Sequence, residues 1–476
     1  MHFNSIQFLF FFIIVTTLYF NIPNQRRWIL LLISSCYFYM AFVPIYILIL
    51  GFTIVIDYFA GILIENAQGS RRKQLLIISL IANIGVLAVF KYYNFLNDNL
   101  SFLLHGFGSA NPIPYLNILL PIGLSFHTFQ AMSYTIEVYR GNQKAERHFG
   151  IYALYVLFYP QLVVGPIERP QNLLPQFRAY HKFEYTRVVE GLKLMFWGFF
   201  KKLVIADRLA IYVNSVYNNS AQHTGITLAL ATIFFTFQIY CDFSGYSDIA
   251  IGAANVMGFD LMTNFKRPYL SKTIAEFWQR WHISLSTWFR DYVYISLGGS
   301  RVSIPRWYFN VMLIFLISGL WHGANWTYII WGGLNGFYLV FAMATEKWRH
   351  RLNHLLLMHH LPKIHSFIQI CLTFLLICFS LVFFRSDSLH TAMTILKKMT
   401  SFKGGLFIGD KDFMVYSIMA ILILIFVEVK GEYFSDKIAL LHNKNIVVRF
   451  IVYTILMLYM GLFGAFFGGQ FFYFQF

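Results

Sequence analysis

His322 places a proton-transfer group inside apolar sequence. It lies in Ser318-Gly319-Leu320-Trp321-His322-Gly323-Ala324-Asn325-Trp326, with the apolar run Trp307 to Ile317 before it and Tyr328 to Met343 after it. An ionisable ring at membrane depth costs free energy wherever lipid surrounds it, so it marks a functional site by default. Imidazole is also the side chain that takes and returns a proton near neutral pH. The plainer alternative is a buried ring bonded to a carbonyl of a neighbouring helix. Gly319 and Gly323 beside it permit close approach of a backbone or a ligand.

A second group is Gln238-Ile239-Tyr240-Cys241-Asp242-Phe243-Ser244-Gly245-Tyr246-Ser247-Asp248, inside the apolar run Leu228 to Met257. An aspartate at the centre of a spanning helix costs about 2.5–3.5 kcal/mol, so two are retained only for a use. Asp242 and Asp248 therefore read as site carboxylates, as caps of broken half-helices, or as partners of basic residues. A third group surrounds His282 in Glu276-Phe277-Trp278-Gln279-Arg280-Trp281-His282-Ile283-Ser284-Leu285-Ser286. A loop histidine beside arginines is commonly structural, and its interest comes from pairing with His322. There is no Walker-type glycine loop, no HExxH and no GxSxG elbow. If the chemistry is acyl transfer, a lone histidine must act as general base on a hydroxyl carried by a substrate.

These groups need helices to hold them. The chain has 476 residues, 58% of them hydrophobic and 12% charged. Soluble domains carry about 25% charged residues, so this composition reads as a polytopic membrane protein. Candidate spans lie near 5–20, 28–43, 45–64, 75–95, 115–136, 149–164, 190–213, 226–256, 307–320, 324–345, 366–384, 413–429 and 446–467. Several are short for a crossing, which suggests about eleven full spans with the rest re-entrant. N-terminal helices 1–136, a catalytic core of about 149–345 and C-terminal helices 366–476 make one membrane-embedded domain. The first apolar run lacks a basic leader and a small-residue cleavage site, so it reads as a retained helix.

The net charge of +16 does not indicate nucleic-acid binding, because the basic residues cluster in short loops between spans. Arg26 and Arg27, then Arg71, Arg72 and Lys73, then Arg140, Lys144 and Arg147 all fall on the cytoplasmic side if the N-terminus is periplasmic. The four cysteines show no metal or disulfide spacing. Two stretches depart from span character. Residues 165–193 hold Pro166, Pro170 and Pro175 and cannot form one straight helix. Residues 264–306 mix Trp278, Trp281 and Trp288 with seven basic residues, Arg290 among them, as suits helices at a membrane surface or a support under the bundle.

Taken together, the ordered motifs Pro121 to Phe126, Val164 to Arg169, Asp242 to Asp248, Phe277 to Arg290 and Gly319 to Gly323 resemble the membrane-bound O-acyltransferase family, in particular its alginate O-acetyltransferase branch. The ending Phe471 to Phe476 is similar too. The resemblance covers nearly the whole chain and implies an all-α bundle around a funnel or tunnel. It makes His322 the catalytic histidine and His282 the second site histidine, on a loop near the cytoplasmic mouth. Asp242, Asp248, Trp321, Trp278 and Arg290 would then bind substrate or support the site. The resemblance further implies an acyl thioester donor such as acetyl-CoA, with no bound cofactor or metal. The acceptor would be an exported polysaccharide of alginate, peptidoglycan or cellulose type, or a periplasmic esterase-like partner of SGNH type, reached from the inner membrane. D-alanyl transfer to teichoic acid is the alternative within the family, and an ion-coupled secondary transporter the alternative outside it.

Overall fold

A computed structural model describes residues 1–117, 120–163, 165–401, 404–434 and 441–466. Val164 and the ending Phe471 to Phe476 lie outside them. The described residues are helical and contain no strand. The chain forms two compact units, one from residues 1–195 and 247–262, the other from 196–246 and 263 onward.

The first unit contains α1 (Ile6–Asn21), α2 (Asn24–Met40), α3 (Ile47–Asn66), α4 (Gly69–Leu87), α5 (Tyr93–Gly106), α6 (Leu124–Arg140), α7 (Phe149–Leu157), α8 (Tyr159–Leu162), α9 (Pro170–Gln176) and most of α10 (Tyr185–Phe199). Its α3, α4 and α6 meet along a buried polar seam. Asp57 on α3 accepts from Ser79 Oγ at 2.7 Å and from Asn83 Nδ2 at 2.8 and 2.9 Å. His127 on α6 lies 2.6 Å from Thr53 Oγ1 on α3. Such bonds join helices where lipid offers no hydrophobic drive between them. The proline-rich stretch is broken as its composition requires: Pro170 starts the short α9, which ends at Gln176, and α10 begins only at Tyr185.

The second unit continues from the end of α10 through a π-helical turn (Phe200–Ala206), α11 (Asp207–Tyr217) and most of α12 (Gly225–Met257). It then contains α13 (Ile274–Arg280), α14 (Ile283–Phe289), α15 (Ile304–His322), α16 (Trp326–Ala344), α17 (Glu346–Leu355), α18 (Pro362–Arg385), α19 (Leu389–Met399), α20 (Lys411–Tyr433) and α21 (Ile446–Phe463). Residues 264–303 thus form a chain of short helices and turns, and the candidate span α15 begins at Ile304. Thr273 caps α13 by accepting from Glu276 N at 3.1 Å, while the Glu276 carboxylate accepts from Lys272 N at 2.7 Å.

Eight helices among the described residues have the length and apolarity of a membrane crossing, against the eleven expected from sequence. α1, α2 and α6 have only 16 or 17 residues. The apolar run 149–164 forms a nine-residue helix and a single extra turn. The run 190–213 is helical, yet Lys201, Lys202, Asp207 and Arg208 interrupt its apolar character. Helix ends and buried charges thus limit which apolar runs have the character of a crossing.

Candidate acyl-transfer site

His322 is the last residue of α15. Its chain turns at Gly323, and Asn325 caps the next helix by accepting from Thr327 N at 3.0 Å. This tight turn sets α15 against α16, and glycine removes the bulk that would hold them apart. A Cβ on Gly319 would meet the Tyr328 carbonyl and, at 3.3 Å, Gly332 Cα. A Cβ on Gly323 would meet the Tyr328 ring. The glycines therefore serve a close helix crossing rather than the open slot that is the other use of such residues.

The His322 ring is 3% exposed and enclosed by aromatic rings. Its centroid lies 4.9 Å from Trp331, 4.9 Å from Trp321 and 5.5 Å from Phe384, all at edge-to-face angles. Trp321 also faces the His282 ring at 6.2 Å. The two sequence-selected histidines thus both pack against one tryptophan. His282 is no surface-loop residue: it is 1% exposed, precedes α14, and packs edge-to-face on Phe243 at 4.6 Å. Burial pushes its imidazole down to about 3, so the ring stays neutral across the physiological range.

That shift has a stability consequence. Below about pH 6.5 the unfolded chain takes a proton on this residue and the folded chain does not. Stability is therefore fully present above pH 6.5 and drains as pH falls toward 3. A His282→Gln variant should lose less melting temperature than the wild type between pH 6.5 and 4 in detergent. Parallel losses in the two proteins would mean that this ring is not held neutral.

Two cavities border this cluster. The larger, about 340 Å³, is walled by α13, α14, α15 and Leu339 of α16, and includes Trp278, Ser286, Arg290 and Ser318. The smaller, about 10 Å³ and water-sized, is lined by Trp331 and Phe384, both ring partners of His322. Trp278 lines both, and it packs on Trp331 at 5.8 Å and Phe315 at 5.2 Å. Arg290 is exposed and paired to Asp291 at 2.8 Å. Neither cavity wall includes His322 or His282; Ser318, one turn before His322 on α15, lines the larger, and Trp281, next to His282, lines the smaller.

The carboxylates separate. α12 runs unbroken through both of them, which overturns the broken-helix reading. Asp242 accepts from Lys202 Nζ at 2.7 Å, and Lys202 also meets Asp207 at 2.6 Å, with all three side chains at most 5% exposed. Neighbouring Lys201 donates to Ser244 Oγ at 2.9 Å. The wider π turn aims these consecutive lysines at one side of α12. Asp242 thus belongs to a buried ion-pair triad, and Phe243 beside it touches His282. Asp248 lies six positions on, about 120° around the helix. A coupling-ion site on a broken helix has no geometric basis here. Lys201, Lys202, Trp331 and Phe384 escaped the sequence reading; two lysines inside the run 190–213 were the available signal.

The sequence profile of the membrane-bound O-acyltransferase family matches residues 148–386, which contain this whole arrangement. Over 406 residues the chain is 40% identical to a probable alginate O-acetylase, AlgI, of Pseudomonas aeruginosa, covering 84% of this chain and 75% of that protein. The chain belongs to the membrane-bound O-acyltransferase family. It is an acyltransferase. It is also 35% identical to the peptidoglycan O-acetyltransferase of Helicobacter pylori over 79% of this chain and 74% of that protein. The teichoic acid D-alanyltransferase of Bacillus subtilis is 29% identical over 58% of this chain and 71% of that protein. Relatives of the membrane-bound O-acyltransferase family therefore include enzymes named for both acetyl and D-alanyl transfer.

Proposed function

We propose that this enzyme moves an acetyl group from a cytosolic thioester, acetyl-CoA, to a hydroxyl beyond the inner membrane. The acceptor is an exported polysaccharide, or a serine of a periplasmic SGNH-type partner that completes the transfer. The N-terminus is periplasmic in this reading, and the spans surround a funnel. His322 acts as general base. It takes the proton of the acceptor hydroxyl as that oxygen attacks the thioester carbonyl. The C–S bond then breaks and the ring returns the proton to the departing sulfur, leaving an ester and a thiol. His282, neutral throughout, orients the site and carries no proton.

The observation that carries this reading is the pair of buried histidines on one tryptophan beside the 340 Å³ chamber bordered by Arg290. A chamber of that size is within the range of small-molecule sites. Trp278 separates it from the slot beside the ring partners of His322, so Trp278 and Trp331 must give way when the thioester docks. The greater identity to O-acetyltransferases, over more of the chain, favours acetyl over D-alanyl.

Donor choice is tested in isolated membranes. One sample receives radiolabelled acetyl-CoA, the other a carrier protein charged with radiolabelled D-alanine. Base-labile label from acetyl-CoA alone is the expected result. Label from the alanyl carrier alone would establish alanylation instead.

A further inference from the structure

We propose that Glu432 is a positioning residue for His282, acting through the two arginines that close the backbone turn around it. This rests on the reading of His282 as part of the transfer site. The turn is built from two segments running side by side. Lys266 N donates to the Arg280 carbonyl at 2.9 Å, and Ile283 N donates to the Asn264 carbonyl at 2.9 Å. Ser284 Oγ adds a 2.9 Å bond to the buried Asn264 Oδ1. Between these rungs the chain reverses at His282, whose backbone is left-handed at φ 43° and ψ 55°. Arg267, at the end of the opposing segment, is left-handed too, at φ 48° and ψ 56°. Side chains with a Cβ adopt this conformation only where the surroundings over-determine it.

Glu432 supplies that constraint from outside both segments. One carboxylate oxygen accepts from Arg267 Nε at 2.7 Å and the other from Arg280 Nη2 at 2.8 Å. A single anion thus clasps one arginine from each segment. Arg280 also meets Glu276 at 2.7 Å. The end of α20 is suited to this task. A Cβ on Gly431 would come within 3.0 Å of Arg267 Nη1, and one turn earlier Glu428 accepts from the Tyr240 hydroxyl on α12. Residue 432 lies beyond the 148–386 stretch matched by the family profile. Part of what orders the site therefore comes from the C-terminal helices.

Glu432→Gln keeps the shape and removes the charge, leaving Arg267 and Arg280 to repel each other across the turn. Misplacing a site group by about 1 Å costs on the order of 100-fold in rate. The expected result in membranes is a maximal rate of transfer from acetyl-CoA lowered about 10- to 100-fold, with the half-saturating acetyl-CoA concentration unchanged. Protein level and melting temperature should stay near wild type, and Glu432→Asp should restore most of the rate.

A second measurement does not depend on activity. Diethyl pyrocarbonate labelling of His282, read by peptide mass spectrometry, should be slow in wild type and in Glu432→Asp but fast in Glu432→Gln. Equal labelling of His282 in all three proteins would overturn the proposal, as would an unaltered rate in Glu432→Gln. Should the wild type transfer no acetyl group while the labelling pattern holds, the acetyl-transfer reading fails and the positioning role stands.

Discussion

Acetyl ester on the cell-surface polysaccharide should fall to background in cells whose enzyme carries His322→Asn, at protein levels equal to wild type. A positioned general base contributes about 10²- to 10⁴-fold, and an asparagine amide cannot take up the proton. Asparagine fits the cage without collapsing it, so the melting temperature should change little. Ester content near wild type would remove His322 from the chemistry.

Lys202→Met should be the most damaging change to the protein itself. The ammonium sits 2.6 Å from Asp207 and 2.7 Å from Asp242, and the three side chains are almost fully excluded from solvent. Breaking a buried ion pair by removing one partner costs about 3–5 kcal/mol, and here two carboxylates lose the same cation. The measured outcome should be low protein recovery and a depressed melting temperature in detergent. Adding Asp207→Asn and Asp242→Asn should recover most of both, because neutral amides bear burial without a cation. A Lys202→Met protein that melts like wild type but transfers nothing would show that the triad takes part in the reaction rather than in the fold.

How much was legible in sequence differs between the site and the fold. His322 stood out because water-free surroundings make a lone imidazole costly, and the same rule marks Asp242. The rule says only that a buried ionisable group has a use. It does not say which: His322 faces aromatic rings, whereas Asp242 meets Lys202. Lys201 and Lys202 were readable as charges in an apolar run, but the π turn that aims both at α12 depends on packing and leaves no sequence signature. The Trp278 and Arg290 stretch reads in sequence as aromatic and basic surface, while the chamber it borders comes from its packing against α15 and α16. Glu432 was invisible for a simpler reason. It lies 152 residues from Arg280, and nothing local in a charged helix end tells which distant cation it will meet.

Helix ends set how much of an apolar run becomes helical. Apolar runs at 115–136 and 149–164 look long enough to cross, but α6 in the first starts at Leu124, and α7 in the second ends at Leu157 before the turn into Tyr159. Gly123, at φ 77°, sits where α6 begins, a left-handed position that glycine adopts readily. Composition measures what a segment would gain from lipid, and the turn residues decide where it is cut.

The most direct measurement uses sealed inside-out membrane vesicles, with radiolabelled acetyl-CoA outside and unacetylated polysaccharide trapped within. In this orientation the donor meets the cytoplasmic face and the acceptor lies across the bilayer. The expected result is base-labile label on the enclosed polymer, or on a co-expressed periplasmic partner where one is needed, with none in vesicles carrying His322→Asn. Label that forms only on external acceptors, or that persists undiminished without His322, would contradict transfer across the membrane by this histidine.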